Sequence, residues 1–434
     1  MRTKILLPLA LLVLWLIVPL KTTNSYPIDG YERTGIERLL YLVDMDSSGL
    51  VRKLPYGGRL PTDSIRLNLV SRERPDSLSD IDRVLQESLV DVFPSRSAAY
   101  SISVLDMTPG REIRYAEHRP EVGYQPGSVG KLAVLTAIFC ELENVYVDSV
   151  EARWDLLKKR VVRSGAFGVR DHHTIPFYDP ETNRYNRRQV GTVDDFSLYQ
   201  WIDHMVSVSN NGAASIVWRE AFLMRVFGQK YPTLTQEEAD EYFRKTPRRE
   251  LADIAESVVN EPLRNLGITH DEWRLGQLFT RGGSNIIPPK GGSIGTTRGL
   301  MKWLLALESG RVIDAPSSLE MKRLMYMTDR RIRYAHSPTL DESAVYFKSG
   351  SFYGGGGGKY AGLGFNYMNS IAIVEHPDGG ARYAVALMSN VLGRNSAYAH
   401  QVLASKIDRV IREGFADRDS QEATRADAPG DDTD

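Results

Sequence analysis

Cysteine is almost absent from this chain, with Cys140 alone among 434 residues. One thiol excludes an intramolecular disulfide framework and any multi-cysteine zinc or iron–sulfur site. Its place after the apolar run Leu132 to Phe139 fits a small buried hydrophobe. Net charge is equally scarce. The 54 basic and 55 acidic residues leave a formal balance of −1, so no general attraction to nucleic acid or to an anionic membrane follows. Long hydrophobic runs are few, and the one that carries an address is the uncharged stretch 5–20. Arg2 and Lys4 precede it and Lys21 closes it, the layout of an export signal, or of an N-terminal anchor if retained. The run contains Pro8 and Pro19 and is slightly short for a spanning helix. It predicts an exported protein, periplasmic or extracellular.

What is present is an ordinary globular composition, 42% hydrophobic and 25% charged, with length enough for a large core. After the signal or anchor (1–21), residues 22–80 read as an irregular extension rich in turns and proline breaks, followed by one domain over 81–415. Residues 81–92 have helical periodicity. Tyr100 to Asp106 reads as a strand, and Glu112 to Ala116 as its hairpin partner. A long apolar helix is expected from Ser128 to Glu141, and another from Asp195 to Val208. A helical insertion near 219–260 has the capping-box spacing at Thr235 and a Thr246-Pro247 helix start. Helices follow over 297–308 and 318–325. Three strands come next, at 344–348, 366–374 and 381–389, then a closing helix from about Tyr398 to Glu413. Residues 416–434 are polar and acidic and are expected to be disordered. Two strands, a helical block, three strands and a last helix make an α+β fold with helices inserted into one antiparallel sheet.

Three short elements carry chemistry: Ser128-Val129-Gly130-Lys131, Ser209-Asn210-Asn211 and Lys348-Ser349-Gly350-Ser351. Each is weak alone, but each falls in a fitting context. The first opens an apolar helix after Gln125-Pro126-Gly127, the second ends a helix, and the third lies at a strand end before glycine-rich sequence. A serine hydroxyl needs an adjacent base to act as a nucleophile. Residues three apart at a helix start share a face, so Lys131 can reach Ser128. Lys131 serves as that base only if burial or a second cation lowers its pKa, and Lys348 is the candidate cation. Gly350 allows the strand edge to approach closely.

Together the elements resemble the S-x-x-K, S-x-N and K-[ST]-G signatures of serine β-lactamases and penicillin-binding proteins, and the resemblance to class A β-lactamases covers roughly 100–412. It implies a five-stranded antiparallel sheet flanked by helices, and an acyl-serine mechanism with catalytic Ser128, Lys131, Ser209 and Lys348. By the same resemblance Ser209 shuttles a proton to the leaving nitrogen and Asn211 binds the side-chain amide of the substrate. Lys348 and Ser349 hold its carboxylate, and the backbone amides of Ser128 and Ser351 form the oxyanion hole beside Gly350. No metal or organic cofactor is required.

The departures bear on turnover. Asn210 stands where class A enzymes usually carry Asp, and no E-x-x-L-N loop with a deacylating glutamate occurs. Glu261 and Glu272 are the candidates for that role. Asp171-His172-His173 reads as a polar loop rather than a metal site, and Gly354 to Gly358 as a strand-to-strand loop rather than a phosphate cradle. The leading expectation is a class A-like serine hydrolase opening a β-lactam or a related cell-wall amide. A D-alanyl-D-alanine carboxypeptidase is the runner-up, and a penicillin-binding sensor the third reading. The expected partner is a small β-lactam or a peptidoglycan stem peptide, with no nucleic acid and with membrane contact only through an N-terminal anchor.

Overall fold

The computed structural model describes residues 29–41, 56–58, 60–72, 77–93, 97–328, 331–358, 360–377 and 379–426. The apolar segment 5–20 lies outside them, and no described helix is long and apolar enough to cross a membrane. A five-stranded antiparallel sheet comprises β1 (Tyr100–Asp106), β2 (Arg114–His118), β3 (Ala344–Gly354), β4 (Phe365–Glu375) and β5 (Arg382–Asn390), in the order β2-β1-β5-β4-β3. Tyr100 pairs with Ser389 and Asp106 with Tyr383, so the early hairpin closes against the last strand. Every residue of β1 is buried, because both faces of the sheet are covered. Ile102 and Val104 pack towards Leu85, Leu403 and Ile407, while Leu105, Ile371 and Met388 join the larger helical core. Strands covered on both sides read as continuous apolar runs.

The principal helices are α1 (Lys131–Val145), α2 (Leu198–Val206), α3 (Asn211–Phe227), α4 (Arg248–Asn265), α5 (Thr297–Glu308), α6 (Ala315–Tyr326) and α7 (Ala397–Ala426). α1 is buried on nearly all sides, with Val134, Leu135, Ile138 and Phe139 fully covered, as an apolar helix without a polar stripe must be. The capping box at Thr235 is present on the helix Gln236–Lys245. At α4 the cap position is Pro247, with no side-chain cap bond from Thr246. α7 runs on to Ala426, past the end expected at Glu413 and into the stretch expected to be disordered. The Ala, Arg, Gln and Glu content of 416–426 favours helix without needing a core. Residues 427–434 lie outside the described part.

Within the segment 22–80, expected to be an irregular extension, the described stretches 29–41 and 60–72 pack into the domain. Ile36, Leu39, Ile65 and Leu69 are buried in the main core. The Arg38 guanidinium forms a bidentate pair with Asp203 at 2.6 and 2.7 Å and also donates to the Met327 carbonyl. Asn68 reaches a buried ion cluster in which the Lys322 ammonium lies 2.6 Å from Glu308 and 2.7 Å from Glu375. The Asn68 amide nitrogen donates to Glu308 at 2.6 Å, its side chain donates to Glu375 at 2.7 Å, and the Tyr346 hydroxyl donates to Glu375 at 2.9 Å.

Candidate active site

Ser128 lies in a short 3-10 turn, Gly127–Gly130, whose end feeds α1 at Lys131. Gly127 has φ 52°, the left-handed region that favours glycine. The turn is pressed against β3. A methyl group on Gly350 would come 2.4 Å from the Pro126 carbonyl oxygen and 2.8 Å from the Ser128 nitrogen, and one on Gly127 would come 2.7 Å from the Ser351 oxygen. Glycine at both positions is therefore a condition of the contact that sets the Ser128 amide beside the Ser351 strand.

Behind the serine, Lys131 is fully buried. Its Nζ lies 3.0 Å from Ser128 Oγ, 2.6 Å from the Ser209 carbonyl oxygen, 2.7 Å from Asn211 Oδ1 and 3.4 Å from Ser209 Oγ. Burial holds the Lys131 pKa down to about 7, against the opposing pull of Asp171. Lys348 does approach, its Nζ donating to Ser209 Oγ at 2.8 Å and to the Ser349 carbonyl at 3.0 Å, but burial and not this cation depresses Lys131. Proton bookkeeping then follows. A neutral amine has two N–H bonds and one lone pair, and the Ser209 carbonyl and Asn211 Oδ1 can only accept. Those two acceptors take the two N–H bonds, which leaves the lone pair for the Ser128 hydroxyl. Ser209 has φ 62°, a strained conformation for a serine that sets its hydroxyl between the Lys131 and Lys348 nitrogens.

A cavity of about 900 Å³ opens in front. Ser128, Asn211 and Ser351 line it, next to the buried Lys131, Lys348 and Ser349 and the partly exposed Ser209. The structure therefore brings together all eight residues singled out from the motifs. It also adds two that sequence reasoning passed over. Arg333 is buried, and its guanidinium donates to the Gly350 carbonyl at 2.6 Å and to Ser351 Oγ at 3.3 Å. One arginine in a basic stretch carries no sequence signal of this. Asp171 lies in a loop, as expected, but is buried there, and its carboxylate accepts from Asn211. The potential metal-binding atoms of Asp171, His172 and His173 lie within 4.8 Å of one another, yet both Asp171 oxygens are already engaged by hydrogen bonds.

Neither glutamate candidate reaches the cavity. Glu261 is about half exposed and pairs with Arg225 at 2.7 Å, and Glu272 pairs with Lys302 at 2.7 Å. The segment in front of Lys131 is instead pinned by Ser215 Oγ, which accepts from the backbone nitrogens of Phe279 and Thr280 at 3.1 Å each. This sets the Phe279 ring 5.2 Å from the Lys131 ammonium. Among the described residues no carboxylate lines the cavity. The Gly354 to Gly358 run forms the β3–β4 connection, with positive φ at Gly355, Gly356, Gly357 and Gly358. Tyr353 and Tyr360 on either side line the cavity.

Solved structures with similar folds include the TLA-3 extended-spectrum β-lactamase, at 14% identity and a TM-score of 0.50, covering 75% of this chain and 96% of that one. A class A β-lactamase from Bacteroides cellulosilyticus DSM 14838 follows at 14% identity and a TM-score of 0.48, covering 76% and 98%. The structure of PBP-A matches at 12% identity and a TM-score of 0.46, covering 79% and 100%. No curated protein matches the chain by sequence. At these identities the likeness concerns the fold. The sequence profile of the β-lactamase enzyme family, however, matches residues 84–412, and the chain belongs to that family.

Proposed function

We propose that the protein is a serine acyl-transfer enzyme that opens a β-lactam or a related cell-wall amide through an acyl-enzyme on Ser128. The observation that carries this reading is the buried Lys131 amine 3.0 Å from Ser128 Oγ, with a pKa near 7 and its two other acceptors fixed. Lys131 takes the hydroxyl proton as Ser128 attacks. Ser209, bonded to Lys348, is placed to pass a proton to the leaving nitrogen. Lys348, Ser349 and Ser351 present the cationic and hydroxyl groups suited to a substrate carboxylate, Asn211 binds its side-chain amide, and the amides of Ser128 and Ser351 receive the oxyanion.

Turnover is where a second reading gains support. With Phe279 in front of Lys131 and no carboxylate among the described lining residues, hydrolysis of the acyl-enzyme has no dedicated acidic base. A penicillin-binding peptidase with a long-lived adduct fits this better than an efficient class A β-lactamase. An exported location, which Arg2, Lys4 and the run 5–20 support, suits a cell-wall substrate. Intact-protein mass spectrometry after mixing with benzylpenicillin tests both readings. An adduct persisting for minutes is the result expected for the peptidase, a transient one marks a lactamase, and no adduct refutes the acyl-enzyme.

A further inference from the structure

Asn211 Oδ1 faces Lys131, and the chemistry of its other neighbour dictates that orientation. The Asp171 carboxylate accepts from the Asn211 side-chain Nδ2 at 3.2 Å and from the Asn211 backbone nitrogen at 2.6 Å. An ionised carboxylate can only accept, so it selects the NH₂ end of the amide and turns the oxygen toward Lys131. The Gly212 nitrogen at 3.4 Å and the His173 backbone nitrogen at 3.3 Å add to the same carboxylate, as does His173 Nδ1 at 2.7 Å. The loop is held in turn, because Asn210 Nδ2 donates to the His173 carbonyl at 3.1 Å. The Asp171 side chain is only 2% exposed, and these donors keep its pKa at about 2 against the cost of burial.

We infer that Asp171 is a positioning residue of the active site, which aims the Lys131 lone pair at Ser128 by locking the flip of the Asn211 amide. The inference rests on the acyl-serine reading above. Without the carboxylate, either end of the Asn211 amide can face Lys131. An NH₂ end there competes with Ser128 for the lone pair. The charged groups around Lys131 are Asp171 and, through Ser209, Lys348. Ser128, Ser209 and Asn211 are its neutral polar neighbours, Phe279 covers one side, and His173 and His172 stand beyond Asp171. Asp171 thus also raises the affinity of Lys131 for its proton, as a nearby anion must.

The test is the rate of Ser128 acylation by benzylpenicillin between about pH 5 and 9 in the full chain, for wild type and Asp171→Asn. The plateau rate should fall roughly tenfold or more, as for a displaced catalytic group. The rising limb should move to lower pH by on the order of one unit, because an anion has been removed. A purely structural residue lowers the rate without moving the limb, so a fall with an unmoved limb overturns the inference, as do unchanged rates. Asp171→Ala, which removes the acceptor together with the charge, is the second variant should Asp171→Asn not fold, with the same fall in plateau and downward move of the limb expected. Failure of wild type to acylate at all removes the acyl-serine reading and this inference together, whereas normal wild-type acylation with an indifferent variant removes the inference alone.

Discussion

At the scale of single residues the site works by counting donors and acceptors. Ser128→Ala deletes one hydroxyl within a turn, so it should abolish covalent labelling by benzylpenicillin while leaving the melting temperature nearly unchanged. Label found on another residue by peptide mapping refutes the assignment. For Lys131 the sign is definite. Its free-base form exists above its depressed pKa of about 7, so acylation should rise with pH through a neutral apparent pKa that belongs to the coupled site. A rate constant across about pH 5 to 9 contradicts this. The three motifs were legible because each places its functional groups at fixed short spacings. Asp171 and Arg333 were not, because their roles arise from contacts across the fold, 40 residues from Asn211 in one case and 17 from Gly350 in the other.

At the scale of elements, the contact between β3 and the 127–130 turn decides whether the site exists. A methyl group at Gly350 meets backbone atoms of Pro126 and Ser128 under 3 Å away, and backbone cannot swing aside as a side chain can. Gly350→Ala should therefore lose acylation by roughly two orders of magnitude and cost about 1–3 kcal/mol in urea unfolding. Normal acylation by that variant means the strand and the turn separate more readily than their packing implies. Sequence periodicity located the sheet strands and the helices at Lys131, Leu198 and Thr297, since buried apolar runs and a cap such as Thr235 are local, but it missed the helix Val150–Lys159. It failed for the segment over Lys131, whose course depends on Ser215 and Asn260 gripping it from helices elsewhere in the chain. Glu261 and Glu272, drawn from that segment and its approach, are occupied by Arg225 and Lys302. Glu261→Gln and Glu272→Gln should each change the steady-state release of hydrolysed penicillin by less than about threefold. A drop of two orders of magnitude in either, with the first-turnover burst retained, assigns that residue as the hydrolytic base.

At the scale of the whole molecule, the described stretches 29–41 and 60–72 belong to the folded body. Arg38→Ala strands Asp203, only 1% exposed, without its guanidinium, a loss typically worth about 3–5 kcal/mol, and urea titration should show it. The buried cluster of Lys322, Glu308 and Glu375 has a further consequence. It draws at once on the N-terminal segment through Asn68, on two helices and on the sheet, with Lys322 and Glu308 fully buried and Glu375 at its edge. Release of any one piece leaves an ion stranded in a medium of low polarity, so partly assembled forms lie far above both the native chain and the unfolded one. The molecule should come apart in a single step. Near-ultraviolet and far-ultraviolet signals should lose their intensity at the same urea concentration, and a protease should find no stable fragment lacking the first 80 residues.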